Sequence, residues 1–95
     1  MVKIIVKDFV DGADSAADGE ALSAPIQQLI QRNDSVVLSF AGINSASSTF
    51  VSAGLIPVLR TLGFDEFKRR IRVVDASWQI VDVIKRRVFR ERELA

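Results

Sequence analysis

Val36-Val37-Leu38-Ser39-Phe40-Ala41 is almost unbroken in apolar character. A strand so little interrupted by polar groups reads as one covered on both faces, and such strands belong to parallel sheets flanked by helices. The rest of the chain supplies the neighbours. Val2, Ile4 and Val6 alternate with Lys3 and Lys7, the period of a half-covered strand. Ile71-Arg72-Val73-Val74-Asp75 is a third strand. Between them the apolar period lengthens to that of helices. The first has its core over Pro25–Arg32, with Ile26, Leu29 and Ile30 as its stripe, and Asn33-Asp34 ends it. Two starts compete: Ser15 with Asp18 at capping-box spacing, or Ser23 with Pro25 in the first turn. The later one is preferred.

A second helix is expected over Ser48–Leu62, stopping at Gly63. Its inner face takes Phe50 or Val51, then Leu55, Val58, Leu59 and Leu62. Pro57 removes one of its backbone bonds, so a kink is expected near Ala53–Gly54, with Gly54 relieving it or allowing close approach to the sheet. Phe64-Asp65-Glu66-Phe67 reads as a short turn whose aromatics plug the core. Ser77 caps a third helix running to Arg90, with Trp78, Val81, Ile84 and Val88 facing inward. The order β-α-β-α-β-α implies right-handed crossovers and a small α/β sandwich with a mostly parallel sheet. One domain over 2–90 is expected, with 91–95 as a fraying tail.

Composition narrows the chemistry. The 95 residues include no cysteine, histidine or tyrosine. Thiolate chemistry, the commonest general base and the commonest metal ligand are therefore absent. Asp8, Asp11, Asp14 and Asp18 lie close together but lack the spacing and closing glutamate of a calcium loop. The expectation is a non-enzymatic protein without catalytic residues, metal or cofactor. No apolar run reaches the length of a membrane span, and the start of the chain is charged too soon for a signal peptide. A cytoplasmic address is expected.

Two segments stand out. Five of the eight residues from Ser45 to Ser52 carry hydroxyls, just past the most apolar strand and at the start of a helix. Partners and ligands of open α/β sheets dock at that edge, and a phosphate there meets free N–H groups and the positive end of a helix. The plainer reading is that Ser47 or Ser48 caps the helix and the rest meet water. The loop lacks the glycines and lysine of a nucleotide-phosphate loop. The second segment is basic. Residues 1–34 carry a net −3 and residues 35–95 a net +4, with nine of thirteen Lys and Arg between Lys68 and Arg92. Arg69 and Arg70 with Arg86, Arg87 and Arg90 form a candidate anion-binding set. A solvated helix face interspersed with Asp82, Glu91 and Glu93 is the plainer alternative.

Val36-Val-Leu-Ser-Phe-Ala-Gly-Ile-Asn-Ser-Ala-Ser-Ser-Thr-Phe50 resembles the central motif of STAS domains, and more closely the STAS-like domain of unknown function. In that family a buried strand, often ending Asp-Phe, leads through a Gly-Val turn into Ser-Ser-Ser-Phe at a helix start. Asp18-Gly19-Glu20, Leu62-Gly63-Phe64 and Ile71–Asp75 fall where the family has its counterparts. The resemblance implies an interaction module of bacterial or phage origin. Its superfamily includes anti-sigma-factor antagonists, in which a histidine-kinase-like ATPase phosphorylates a serine at the start of the second helix and binds the unphosphorylated face. The matching positions here are Ser48 and Thr49. Ser47 stands where the antagonists usually have aspartate, and Ser39 where the STAS-like strand often has it.

The reading is thus a STAS-like regulatory protein-interaction module. Its face is built on Ser47, Ser48, Thr49 and Ser52, and its suspected partner is a histidine-kinase-like ATPase. The rivals are a nucleic-acid-binding protein using the arginine-rich last helix, and a small-ligand binder or enzyme subunit at the sheet edge.

Overall fold

In the computed structural model, which describes residues 1–94, three short strands form one parallel sheet. They are β1 (Val2–Ile5), β2 (Val36–Ser39) and β3 (Ile71–Val74), in spatial order β1-β2-β3. Val36 pairs with Val2 on one side and Ile71 on the other, and Leu38 with Ile4 and Val73. The apolar run therefore takes the central position, as its composition requires. Helix α1 (Ala16–Gln31) connects β1 to β2. The connection from β2 to β3 contains α2 (Ser48–Gly54), α3 (Ile56–Leu62) and α4 (Phe64–Arg70), and α5 (Trp78–Leu94) closes the chain.

Two right-handed crossovers advancing in the same direction place their helices on the same side of a sheet. The pattern of burial agrees with that geometry. Ile4, Val36, Leu38 and Ile71 point into the core beside Leu22, Ile26, Phe50 and Val58. On the opposite face Lys3, Ile5 and Arg72 are exposed and Val37 and Val74 half-buried. The central strand is thus covered by helices on one face rather than two. Ser39 is buried because its small hydroxyl is engaged, donating to Asp75 Oδ2 at 2.7 Å and accepting from the Ala41 N–H.

Several expectations are corrected in detail. Helix α1 begins at Ala16, not Pro25, with Ser15 as its cap: the Ser15 hydroxyl accepts from the Asp18 N–H at 3.1 Å. Its buried face is Gly19, Leu22, Ser23, Ile26 and Ile30, a helical stripe that the glycine and serine conceal in the sequence. The expected kink is a full break. Helix α2 ends at Gly54 and α3 starts at Ile56, because Pro57 has no N–H for the Ala53 carbonyl. Gly63 ends α3 with φ of +82°. The segment from Phe64 is a helix rather than a turn: Phe67 is buried, and Phe64 packs at the edge under Arg92 and beside Phe89.

Helix α5 runs past Arg90 to Leu94, and Ala95 lies outside the described residues. Its core residues are Ile80, Ile84 and Val88. Trp78 does not face inward; it is 85% exposed. It sits two positions before Ile80, about 200° round the helix from it. Trp78→Ser is therefore expected to change stability by no more than about 0.5 kcal/mol, read as the urea midpoint. A loss of about 2 kcal/mol or more, the scale of a buried aromatic, would show that the ring is covered in solution.

Candidate functional site

The hydroxyl segment and the basic helix meet. The loop after β2 is pinned to the start of α5 by two side chains. Gln79 accepts from the Ala46 N–H through Oε1 and donates to the Ala46 carbonyl through Nε2, both at 2.8 Å. The Ser77 hydroxyl donates to the Asn44 carbonyl at 2.8 Å and accepts from the Ile80 N–H, which caps α5. The same loop is tied to the acidic segment before α1: the Ser47 N–H donates to the Ala13 carbonyl at 2.9 Å and the Ser47 hydroxyl to the Asp14 carbonyl at 2.6 Å. Ser47 is also the cap of α2, accepting from the Phe50 N–H at 3.1 Å. Its hydroxyl proton and its capping lone pair are both committed to the fold.

Ser52, one turn into α2, is likewise engaged. It accepts from Arg87 Nε at 2.7 Å. Arg87 also pairs with Glu91 at 3.1 Å, and Glu91 with Arg60 of α3 at 2.8 Å. This chain of contacts holds α2, α3 and α5 together and explains why α5 continues beyond Arg90. The Arg60 hydrogen bond is the main reason the Glu91 carboxyl lies below its ordinary pKa, opposed by burial and aided by Arg87. Arg60 is raised in turn, first by the hydrogen bond from its guanidinium to Glu91.

Ser48 and Thr49 remain exposed. Ser48 borders a cleft of about 340 Å³ between the start of α2 and one face of α5, whose walls include Asp82, Arg86, Arg87 and Arg90. Arg86 pairs with Asp82 at 3.0 Å while most of its side chain stays in solvent. Arg86, Arg87 and Arg90 thus line the cleft with Asp82 and the exposed Ser48, the Arg87 guanidinium being held by Ser52 and Glu91.

The other two arginines of the expected anion-binding set lie elsewhere. Arg69 pairs with Glu66 on α4. Arg70 donates through Nη2 to the Ile30 and Asp34 carbonyls at 2.9 and 2.8 Å, closing the C-terminal end of α1. Sequence reasoning missed Gln79, which carries no local signature because its partner lies 33 residues away. Asp82 was legible as an i,i+4 partner of Arg86. Asp75 accepts from Ser39 in a left-handed backbone conformation, φ +56°.

Comparison with known families gives a match over residues 18–80 to the STAS-like domain of unknown function. The chain belongs to that family. No curated protein and no solved structure matches it. The STAS-like segment runs from the start of α1 to the first turn of α5. It contains the Ser47–Ser52 edge, the Ser39–Asp75 pair and the Gln79 contact, while Arg86, Arg87 and Arg90 lie beyond it. One wall of the cleft therefore belongs to the STAS-like core and the other to the extension of α5. Among the described residues no helix is long and apolar enough to cross a membrane.

Proposed function

We propose that this STAS-like protein is a regulatory protein-interaction module that docks its partner at the cleft between α2 and α5, with charge at Ser48 setting the affinity. The observation that carries this reading is the cleft itself, which brings the exposed Ser48 beside Arg86, Arg87 and Arg90. Ser47 and Ser52 serve the fold, so Ser45, Ser48 and Thr49 are the hydroxyls of the segment left for a partner or a modifying enzyme, and of these Ser48 borders the cleft. A phosphoryl group on Ser48 would neutralise the arginine wall and form charge-assisted hydrogen bonds with it, closing the cleft to an acidic partner surface. The superfamily resemblance points to a histidine-kinase-like ATPase as that partner and kinase.

The test uses a histidine-kinase-like ATPase encoded beside this chain, titrated against wild type, Ser48→Ala and Ser48→Asp. Ser48→Ala should bind as wild type, whereas Ser48→Asp should lose most of the affinity while unfolding at the same urea concentration. Binding of Ser48→Asp as tight as wild type would remove charge gating from this edge. The nucleic-acid reading draws on the exposed Lys85, Arg86 and Arg90 of α5. It would be favoured instead by retention on DNA that falls with salt and with Arg86→Ala.

A further inference from the structure

The face of the sheet turned away from the helices is bare. It presents Lys3 and Ile5 from β1, Val37 from β2, and Arg72 and Val74 from β3. Parallel sheets are almost always covered on both faces, and the apolar run from Val36 has the composition of a strand so covered. The register arranges this face in two rows. Lys3, Val37 and Arg72 lie side by side in one, and Ile5, Ser39 and Val74 in the next. The Ser39 hydroxyl is engaged by Asp75, beyond the end of β3, so the second row is apolar in effect. In the first row two long cations flank the short Val37. Neither Lys3 nor Arg72 forms an ion pair among the described residues. We infer that this face docks an acidic amphipathic helix of a partner protein, its narrow apolar seam on Ile5, Val37 and Val74 and its flanking carboxylates on Lys3 and Arg72.

Charge and width select this occupant. Both charged side chains that the strands place on this face are cations, so an acidic flank is their complement. A second copy presenting the same face would set cation against cation, which costs affinity. The Lys3 and Arg72 strands lie two inter-strand spacings apart, about 10 Å. That is about the diameter of an α-helix with its side chains. A helix laid along β2 therefore rests on Val37 with one cation on each side, and strands of four residues give it a bed roughly 13 Å long. The aliphatic side chains of Ile5, Val37 and Val74 give nucleobases no ring to stack on. The low valine between two longer side chains accepts a convex helix better than a flat bilayer. None of these residues belongs to the cleft between α2 and α5.

The probe is a synthetic peptide of about 16 residues, long enough to be helical in water. Leucines at helical spacing form its seam and glutamates line both flanks; a twin peptide carries lysines in place of the glutamates. Each is titrated into the protein while backbone amide shifts are followed by NMR. The glutamate peptide should bind and shift Lys3, Ile5, Val37, Arg72 and Val74, and the lysine peptide should bind about tenfold more weakly or worse. The double variant Lys3→Glu with Arg72→Glu should reverse that order. It should unfold at nearly the urea concentration of wild type, because both side chains are exposed. Failure of the glutamate peptide to bind overturns the proposal, and so does equal binding of the two peptides. Shifts confined to Arg86 and Arg90 would move the acidic partner to the cleft. Shifts of the sheet residues with protein concentration alone would make the occupant a second copy; either result overturns the assignment of this face.

Discussion

Gly19→Ala should destabilise the protein severely, although alanine is the better helix former by about 0.5–1 kcal/mol. Gly19 lies in the first turn of α1, where that helix crosses α2. A β-carbon on it would stand 2.5 Å from the Phe50 carbonyl oxygen, 2.7 Å from Ala53 Cβ and 2.9 Å from the Gly54 nitrogen. Two of those atoms are backbone, and no rotamer change moves them aside. The helices must separate, and overpacking of this kind costs roughly 3 kcal/mol or more. The facing glycine is less demanding: a β-carbon on Gly54 meets the Gly19 carbonyl oxygen at 3.2 Å, so the close approach expected of Gly54 is to α1 rather than to the sheet. A urea melt of Gly19→Ala checks the expectation. A midpoint equal to or above that of wild type would mean that α1 and α2 do not touch here in solution.

Phe50→Ala should cost about 3–5 kcal/mol, the range for deleting a fully buried aromatic. Phe50 is fully buried in the first turn of α2. Its backbone N–H is held by Ser47 and its carbonyl oxygen faces Gly19. That anchorage restrains α2 from collapsing into the space the ring leaves. Domains of this size have total stabilities of only about 5–15 kcal/mol, so the loss is a large share of the whole. The measurement is the urea midpoint with an unchanged slope. A cost below about 1 kcal/mol would show that neighbouring side chains refill the site. The double variant with Gly19→Ala should lose less than the sum of the two, because removing the ring gives α2 room to retreat from the added methyl.

Both predictions concern a crossing of which the sequence shows one half. Gly54 stands out beside Pro57, but Gly19 reads as loop punctuation after Asp18. Its role depends on where a second helix passes, and no periodicity in one segment reports that. For the same reason the apolar pattern starts α1 too late. A stripe containing Gly19 and Ser23 is apolar only in the sense that both are buried. Trp78 misleads for a different reason. Hydrophobicity alone suggests burial, but Ile80, Ile84 and Val88 already fill the inner face of α5.

Local chemistry was enough to set the class of fold and the order of its parts. The apolar Val36–Phe40 run had to be central because polar edges could not cover it. Alternation from Val2 set β1, which stops at Ile5 where Val6–Asp8 form a single 3-10 turn, and Ser15, Ser47 and Ser77 each carried a helix start in a hydroxyl that accepts a nearby N–H. These effects are settled within four residues. Long-range packing, by contrast, settled which hydroxyls are free and which arginines share a surface. Ser47 and Ser52 are held by Asp14 and Arg87, and Arg70 by the end of α1, through contacts spanning more than thirty residues. A hydroxyl or guanidinium has the same composition whether it is satisfied or available. The approach of a distant chain segment makes the difference, and here it leaves Ser48 facing Arg86 and Arg90 across an open cleft.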